Sequence, residues 1–318
     1  MSNRESFLDL DDKYRFVQFQ LWRNCPFTCD FCYNKGIKNT NKIWSLNEII
    51  KKFNDPIISK FNHIGLIGGE IFGKELSDIH VKELFYKLID IINDKIKSKN
   101  VDQVYITTAL LYKDTSSLEE FVQYLISNQV ADKYLLCTSY DTIYRFKNEN
   151  SIELWERNMW MIRDKYPELR VHTEAIITQD LIEKVLNNEF SVSDFQRRYN
   201  TKLNFIEVQC NSNCRTKEEF DKELPRFMPK RKDFLKFMHK ISKDPAVNMK
   251  EFLNEALHSD LLYMEVHGYL YEFLGRRRFP TMMDAYYRQL GRNFFHVGYI
   301  DSDVRIEDDV KVFKELNL

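Results

Sequence analysis

From residue 14 to residue 209 the chain alternates short apolar runs of β character with longer segments of helical period, and this alternation restricts the fold more than any other feature. Strands are expected at about 14–23, 63–68, 103–109, 134–140, 170–177 and 203–209, and helices at 46–61, 79–98, 117–130, 152–166 and 180–199. Crossovers of that length suit parallel strands, since antiparallel neighbours need only a tight turn. Six such units are too few to close an eight-stranded barrel, so the expected class is α/β, a partial (βα)6 TIM-like barrel whose open side must be covered. Past Pro225 and Pro229 the alternation gives way to a helix at about 230–242. A short helix follows, then a hairpin at 261–273 turning at His267-Gly268, a helix near 281–290 and a strand pair around Asp301-Ser302-Asp303. The expected organisation is an N-terminal extension at 1–13, a barrel at 14–243 and a C-terminal α+β cap at 244–318.

Composition narrows the partners. The 318 residues include 43% apolar residues, and 47 Lys+Arg stand against 48 Asp+Glu. Such a chain can bury a large core, and its charge balance leaves no global field to hold a nucleic-acid backbone, which argues against nucleic acid as a partner. No stretch approaches the roughly 20 uninterrupted apolar residues of a membrane helix, and the polar, acidic start is unlike a signal peptide, so a cytoplasmic location without membrane contact is expected. The basic runs Lys230-Arg231-Lys232 and Arg276-Arg277-Arg278 read as solvated faces or as a grip on a phosphate-bearing or carboxylate-rich substrate.

Six cysteines in a chain of this length do not make a disulfide scaffold, so each is an inert thiol or a ligand. Cys25, Cys29 and Cys32 follow the first strand, at the sheet end where open α/β folds place ligands. Three thiolates can ligate three irons of a [4Fe–4S] cubane and leave the fourth iron open to an exogenous chelator. A structural zinc would want a fourth Cys or His, and the loop offers none. Cys137, Cys210 and Cys214 are too few for a second cubane held by protein alone and read as inert thiols.

The segment Cys25-Pro26-Phe27-Thr28-Cys29-Asp30-Phe31-Cys32 resembles the CxxxCxxC signature of the radical S-adenosylmethionine (radical SAM) superfamily, with an aromatic, Phe31, before the last cysteine. A second segment, His63-Ile64-Gly65-Leu66-Ile67-Gly68-Gly69-Glu70, is similar to a strand ending in that family's Gly-Gly-Glu-Pro motif, with Ile71 in place of the proline. The resemblance implies a [4Fe–4S] cluster on Cys25, Cys29 and Cys32. It also implies S-adenosyl-L-methionine positioned by Phe31, Gly68, Gly69 and Glu70, with the Glu70 carboxylate accepting from the SAM ammonium. The activity implied is reductive cleavage of SAM to a 5′-deoxyadenosyl radical that abstracts hydrogen from a substrate, fed by an external electron donor such as a flavodoxin or ferredoxin. Ile106-Thr107-Thr108-Ala109-Leu110 stands where the family often has Thr-Thr-Asn-Gly, and Ser139 where it often has a serine on the ribose of SAM. The segment at 298–304 is similar in outline to a hairpin of SPASM and twitch extensions, but no cysteine follows Cys214 to hold an auxiliary cluster. A nucleotide, a small-molecule metabolite or a peptide remains open as substrate. A non-catalytic Fe–S redox sensor and a zinc-stapled binding protein remain open as alternatives.

Strand alternation proposes the lining. On the fifth strand Val171, Ala175 and Ile177 suit the helix layer, which turns His172, Glu174 and Thr178 inward. On the sixth, Ile206 and Val208 are expected to face out and Glu207 and Gln209 in; the first strand offers Gln18, Gln20 and Trp22. Glu174 and Gln209 are the expected contacts to a polar substrate or to SAM, each with the plain alternative of a satisfied core polar group.

Overall fold

The computed structural model describes residues 15–27, 29, 45–53, 61–142, 145–146, 148–207 and 231–247, together with the backbone of a strand at Asn293–Val297. Six strands, β1 (Arg15–Gln20), β2 (His63–Ile67), β3 (Gln103–Thr107), β4 (Tyr134–Tyr140), β5 (Arg170–Ile177) and β6 (Lys202–Glu207), lie side by side in chain order. Every neighbouring pair is parallel. A strand order that never reverses, combined with right-handed crossovers, puts the helices on one face and leaves the other as an inner surface. Among the described residues β6 pairs with β5 alone, so the sheet stays open as a partial barrel. A seventh strand, β7 (Asn293–Val297), pairs in parallel with the outer edge of β1, from Arg15↔Asn293 to Phe19↔Val297. One strand of the C-terminal quarter, expected as an appended cap, therefore joins the main sheet. The hairpin at 261–273, the helix near 281–290 and the strand pair around residue 302 fall outside the described residues.

The helices are α1 (Leu46–Lys52), α2 (Ile79–Lys97), α3 (Ser116–Ser127), α4 (Glu149–Lys165), α5 (Gln179–Leu186), α6 (Val192–Tyr199) and α7 (Arg231–Ile241). Their starts follow side-chain capping. Asp78 accepts from the His80 and Val81 amides, Asn148 from Ser151, and Ser45 forms a reciprocal capping box with Glu48. On α2 the buried Phe85, Leu88, Ile89, Ile92 and Ile96 recur at helical spacing and form the stripe laid on the sheet. The single helix expected at 180–199 is two helices. Asn188 takes a left-handed φ of 63° just after α5, and Ser191 starts α6 by accepting from the Asp194 amide. Asparagine tolerates that conformation better than other non-glycine residues, so the Asn187-Asn188 pair is where the pattern breaks.

The two sheet faces are chemically distinct. Toward the helices stand Ile64, Leu66, Val104, Ile106, Tyr134, Leu136, Ala175 and Ile177, all at most 1% exposed. The opposite parity carries the small or polar Gly65, Thr107, Cys137, Ser139, His172 and Glu174 together with the larger Ile67, Tyr105, Leu135 and Ile176. A closed barrel fills its interior with bulky branched side chains, whereas here polar residues of β4 and β5 share the inner face with them.

Two expected orientations are corrected. Phe205 is 1% exposed and meets Phe237 of α7 edge-to-face at 5.3 Å, and the register pairs Phe205 with Ala175, Glu207 with Ile177 and Asn204 with Glu174. Glu207 is thus paired in register with a helix-side residue, and Asn204, with Lys202, takes the inward parity of β6. Trp22 also leaves the inner face. The strand ends at Gln20, the alternation ends with it, and the Trp22 ring packs against Phe85 of α2 with centroids 6.1 Å apart.

Candidate functional site

The loops that follow β1 and β2 are joined by their backbones. The Leu21 amide donates to the Ile67 carbonyl at 2.8 Å, Gly69 to Trp22 at 2.7 Å and Glu70 to Asn24 at 3.0 Å. The parallel pairing of β1 with β2 therefore continues past the strand ends to the threshold of the cysteine loop. Such closeness dictates residue 69. A Cβ there would stand 2.0 Å from the Asn24 carbonyl oxygen and 2.3 Å from that of Arg23, where no side chain fits. Cys25, next in the chain, is half-buried, and Cys29 is buried; neither is in a disulfide. Phe31 and Cys32 lie outside the described residues. Among the described residues no three His, Cys, Asp or Glu side chains gather as a metal site. Two thiols outside any disulfide, in the loop that follows β1, are nonetheless the donor type that a thiolate-ligated iron–sulfur cluster needs, and Cys25 and Cys29 would hold it with Cys32.

Glu70 is only 1% exposed and its carboxylate faces into the protein. One oxygen accepts from the Ala109 amide at 2.8 Å; the other accepts from the Thr108 hydroxyl at 2.9 Å and from the Tyr112 hydroxyl. The Thr108 and Tyr112 hydroxyls also contact each other, and the Trp22 indole donates to the Glu70 carbonyl at 2.8 Å. Burial raises the pKa of Glu70, while Tyr112, Ala109 and Thr108 pull it down by hydrogen bonding to the charged form. Burial likewise lifts Tyr112 well above the ordinary phenol value, and the adjoining Glu70 lifts it further. Three of the roughly four lone-pair directions of the carboxylate are thus used inside the protein.

The segment that supplies those donors is held from behind. Leu110 is fully buried at a left-handed φ of 54°, a conformation costly for any residue with a Cβ. The buried Asn158 of α4 donates its amide hydrogens to the carbonyls of Leu110 and Tyr112, both at 2.9 Å, and Arg157 donates to Tyr112 at 2.8 Å. Trp155 donates to Thr138 at 3.1 Å, and Thr138 to the Ala109 carbonyl at 3.4 Å. Leu110 stands where the resemblance places a glycine, and it has taken a glycine's backbone conformation.

On the inner face Ser139, Glu174 and Asn204 lie side by side in register across β4, β5 and β6. Ser139 and Asn204 are buried, at 7% and 6% exposure. The Glu174 carboxyl is pushed up to about 7 by loss of water, with the Arg145 guanidinium pulling the other way. One step toward the strand starts, Cys137 and His172 are paired in the same way. Gln20, fully buried, lies on the face opposite Phe19, whose ring stacks on Phe53 at 4.9 Å. The structure thus brings Gly68, Gly69 and Glu70 to Trp22 and Asn24, just ahead of Cys25, and Ser139 beside Glu174 in register; Gln209, Cys210 and Cys214 lie outside the described residues. Sequence reasoning missed Tyr112, Asn158 and Asn204. Only Asn204 left a trace in the sequence, through the register of β6.

No family model matches this sequence, and no curated protein is similar to it. Among solved structures, native anSMEcpe with bound AdoMet is 16% identical over 72% of this chain and 59% of its own, with a TM-score of 0.48. HydG, a maturase of the [FeFe]-hydrogenase, is 11% identical over 79% of this chain and 56% of its own, at 0.44. Methylornithine synthase (PylB) is 12% identical over 100% and 90%, at 0.41. The chain spans about three fifths of the length of the first of these. At such scores the functional reading rests on the chain's own residues.

Proposed function

We propose that this chain is a radical SAM enzyme. Cys25, Cys29 and Cys32 would hold a [4Fe–4S] cluster, the segment of Gly68, Gly69 and Glu70 with Phe31 would position S-adenosylmethionine, and Ser139 and Glu174 would meet its ribose or the substrate; the parity that put Gln209 with them does not hold on β6. One observation supports the reading: the backbone bonds Gly69 to Trp22 and Glu70 to Asn24, with a glycine required at residue 69, tie the Gly-Gly-Glu segment to the stretch that runs into Cys25, past the carboxyl ends of β1 and β2. The Gly-Gly-Glu segment is weak in isolation, and its attachment to the start of the cysteine loop at the ligand end of a parallel sheet is what a shared cofactor would need.

When bound, the cluster and SAM supply reductive cleavage of the sulfonium to a 5′-deoxyadenosyl radical. The chain's own residues bind and orient. Ser139, Glu174 and Asn204 offer polar groups side by side on the inner face, and the apolar helix side keeps water away from the far side of the sheet. The reductant would be an external one-electron donor of flavodoxin or ferredoxin type, and the substrate a small molecule or a peptide.

The test is anaerobic reconstitution with iron and sulfide, followed by dithionite and SAM. About four irons per chain and release of 5′-deoxyadenosine are expected. Brown protein that leaves SAM intact, or colourless protein carrying zinc, would sink the proposal in favour of a redox sensor or a structural staple.

A further inference from the structure

The Glu70 carboxylate is buried and engaged by three donors from within the protein, the Thr108 and Tyr112 hydroxyls and the Ala109 amide. Its backbone, in contrast, is part of the junction: the Glu70 amide is bonded to Asn24, its carbonyl receives the Trp22 indole, and Gly69 is bonded to Trp22. We propose that Tyr112 is a positioning residue for the cofactor loop: its hydroxyl, through the buried Glu70 carboxylate, fixes the backbone of Gly69 and Glu70 against the cysteine loop.

Three features support Tyr112 over its neighbours. It is 7% exposed and packs its ring edge-to-face against Phe72, two residues beyond Glu70, with centroids 6.3 Å apart, so ring and hydroxyl grip the same loop. Its own backbone is fixed independently by Asn158 and Arg157, so it is a rigid donor and not a free rotor. The turn that delivers it passes through the left-handed Leu110, and such strain persists only where surrounding contacts over-determine it. A buried carboxylate with its donors in place is worth keeping, and one that loses a donor is costly, so the Tyr112 hydroxyl controls whether Glu70 can remain inside.

This inference rests on the radical SAM reading for what the loop receives, but its first readout does not. In Tyr112→Phe, which removes one oxygen and keeps the ring, amide hydrogen exchange of Gly69 and Glu70 in the protein without SAM should accelerate about tenfold or more, while far-UV circular dichroism is unchanged. In the reconstituted protein, SAM affinity by calorimetry should fall by about tenfold at unchanged iron content. Thr108→Val, which removes the neighbouring donor, should act in the same direction and covers the case in which Tyr112→Phe folds poorly. Tyr124→Phe, which breaks an exposed contact to Asp90 far from the loop, is the control and should change neither readout. Unchanged exchange at Gly69 and Glu70, or wild-type SAM affinity in a variant whose exchange has accelerated, would overturn the inference. Wild-type protein that binds no SAM would defeat the proposed function, while the exchange data would still decide whether Tyr112 holds the loop.

Discussion

Gly69 sits so close to Asn24 that a methyl group on it would stand 2.0 Å from the Asn24 carbonyl oxygen. The clash is with backbone, which cannot rotate away as a side chain could. The two loops must separate before any larger residue is admitted.

Gly69→Ala should therefore break the Gly69–Trp22 and Glu70–Asn24 bonds and cost about 1–3 kcal/mol, the ordinary range for overpacking. Iron retention after reconstitution should fall as well, because Cys25 follows Asn24 directly. A variant with wild-type stability and full iron loading would show that the loops can part without consequence.

Cys29→Ser should abolish cluster assembly while the helices persist, since the thiol lies in a loop and the core beneath it is built from other residues. Iron analysis and far-UV circular dichroism together decide this. Wild-type iron content would remove Cys29 from the ligand set.

Glu174 links stability to pH. Its folded pKa of about 7 lies above the ordinary carboxyl value, so the folded state binds the proton more tightly than the unfolded chain does. Below the unfolded pKa both states are protonated and nothing is lost; as pH rises from about 4.5 to 7 the fold loses up to about 3 kcal/mol relative to that reference. Glu174→Gln should consequently raise the melting temperature at pH 8 and leave it unchanged near pH 4. A gain independent of pH would point to packing and not to charge.

Asn158→Ala should cost about 2–4 kcal/mol in denaturant unfolding, because it strands the buried Leu110 carbonyl and frees a strained turn. Leu110→Gly, which relieves the backbone, should still destabilise, since the lost burial of a leucine outweighs roughly 1 kcal/mol of relief. Stability equal to wild type in the first variant would mean that the turn holds itself.

The sequence made the order of strands and helices legible because each unit repeats one physical pattern, and β4 and β5 appear at their expected bounds. The junction of residues 22–25 with residues 68–70 was legible only as two separate motifs. The orientation of β6 was not, because Leu203-Asn204-Phe205-Ile206-Glu207-Val208 offers apolar residues on both parities, and the choice was made by Phe237 on α7, a partner distant in sequence. Trp22 was misplaced because alternation was carried beyond the last ladder residue. Tyr112 and Asn158 carry no local signature; their roles exist only through partners more than forty residues away.

The sequential strand order also orders events in time. As the chain leaves the ribosome, each of β2 to β6 meets the neighbour made just before it, so the sheet can grow strand by strand with short loop closures. The outer edge of β1 is different: its partner β7 is synthesised after the other strands among the described residues. Until then the growing polypeptide presents a row of unpaired amides and carbonyls beside the cysteine loop, the kind of edge that invites pairing with other chains. Synthesis thus passes through an interval of exposure, and a chaperone that shields strand edges would serve this protein most between the emergence of β6 and the arrival of β7.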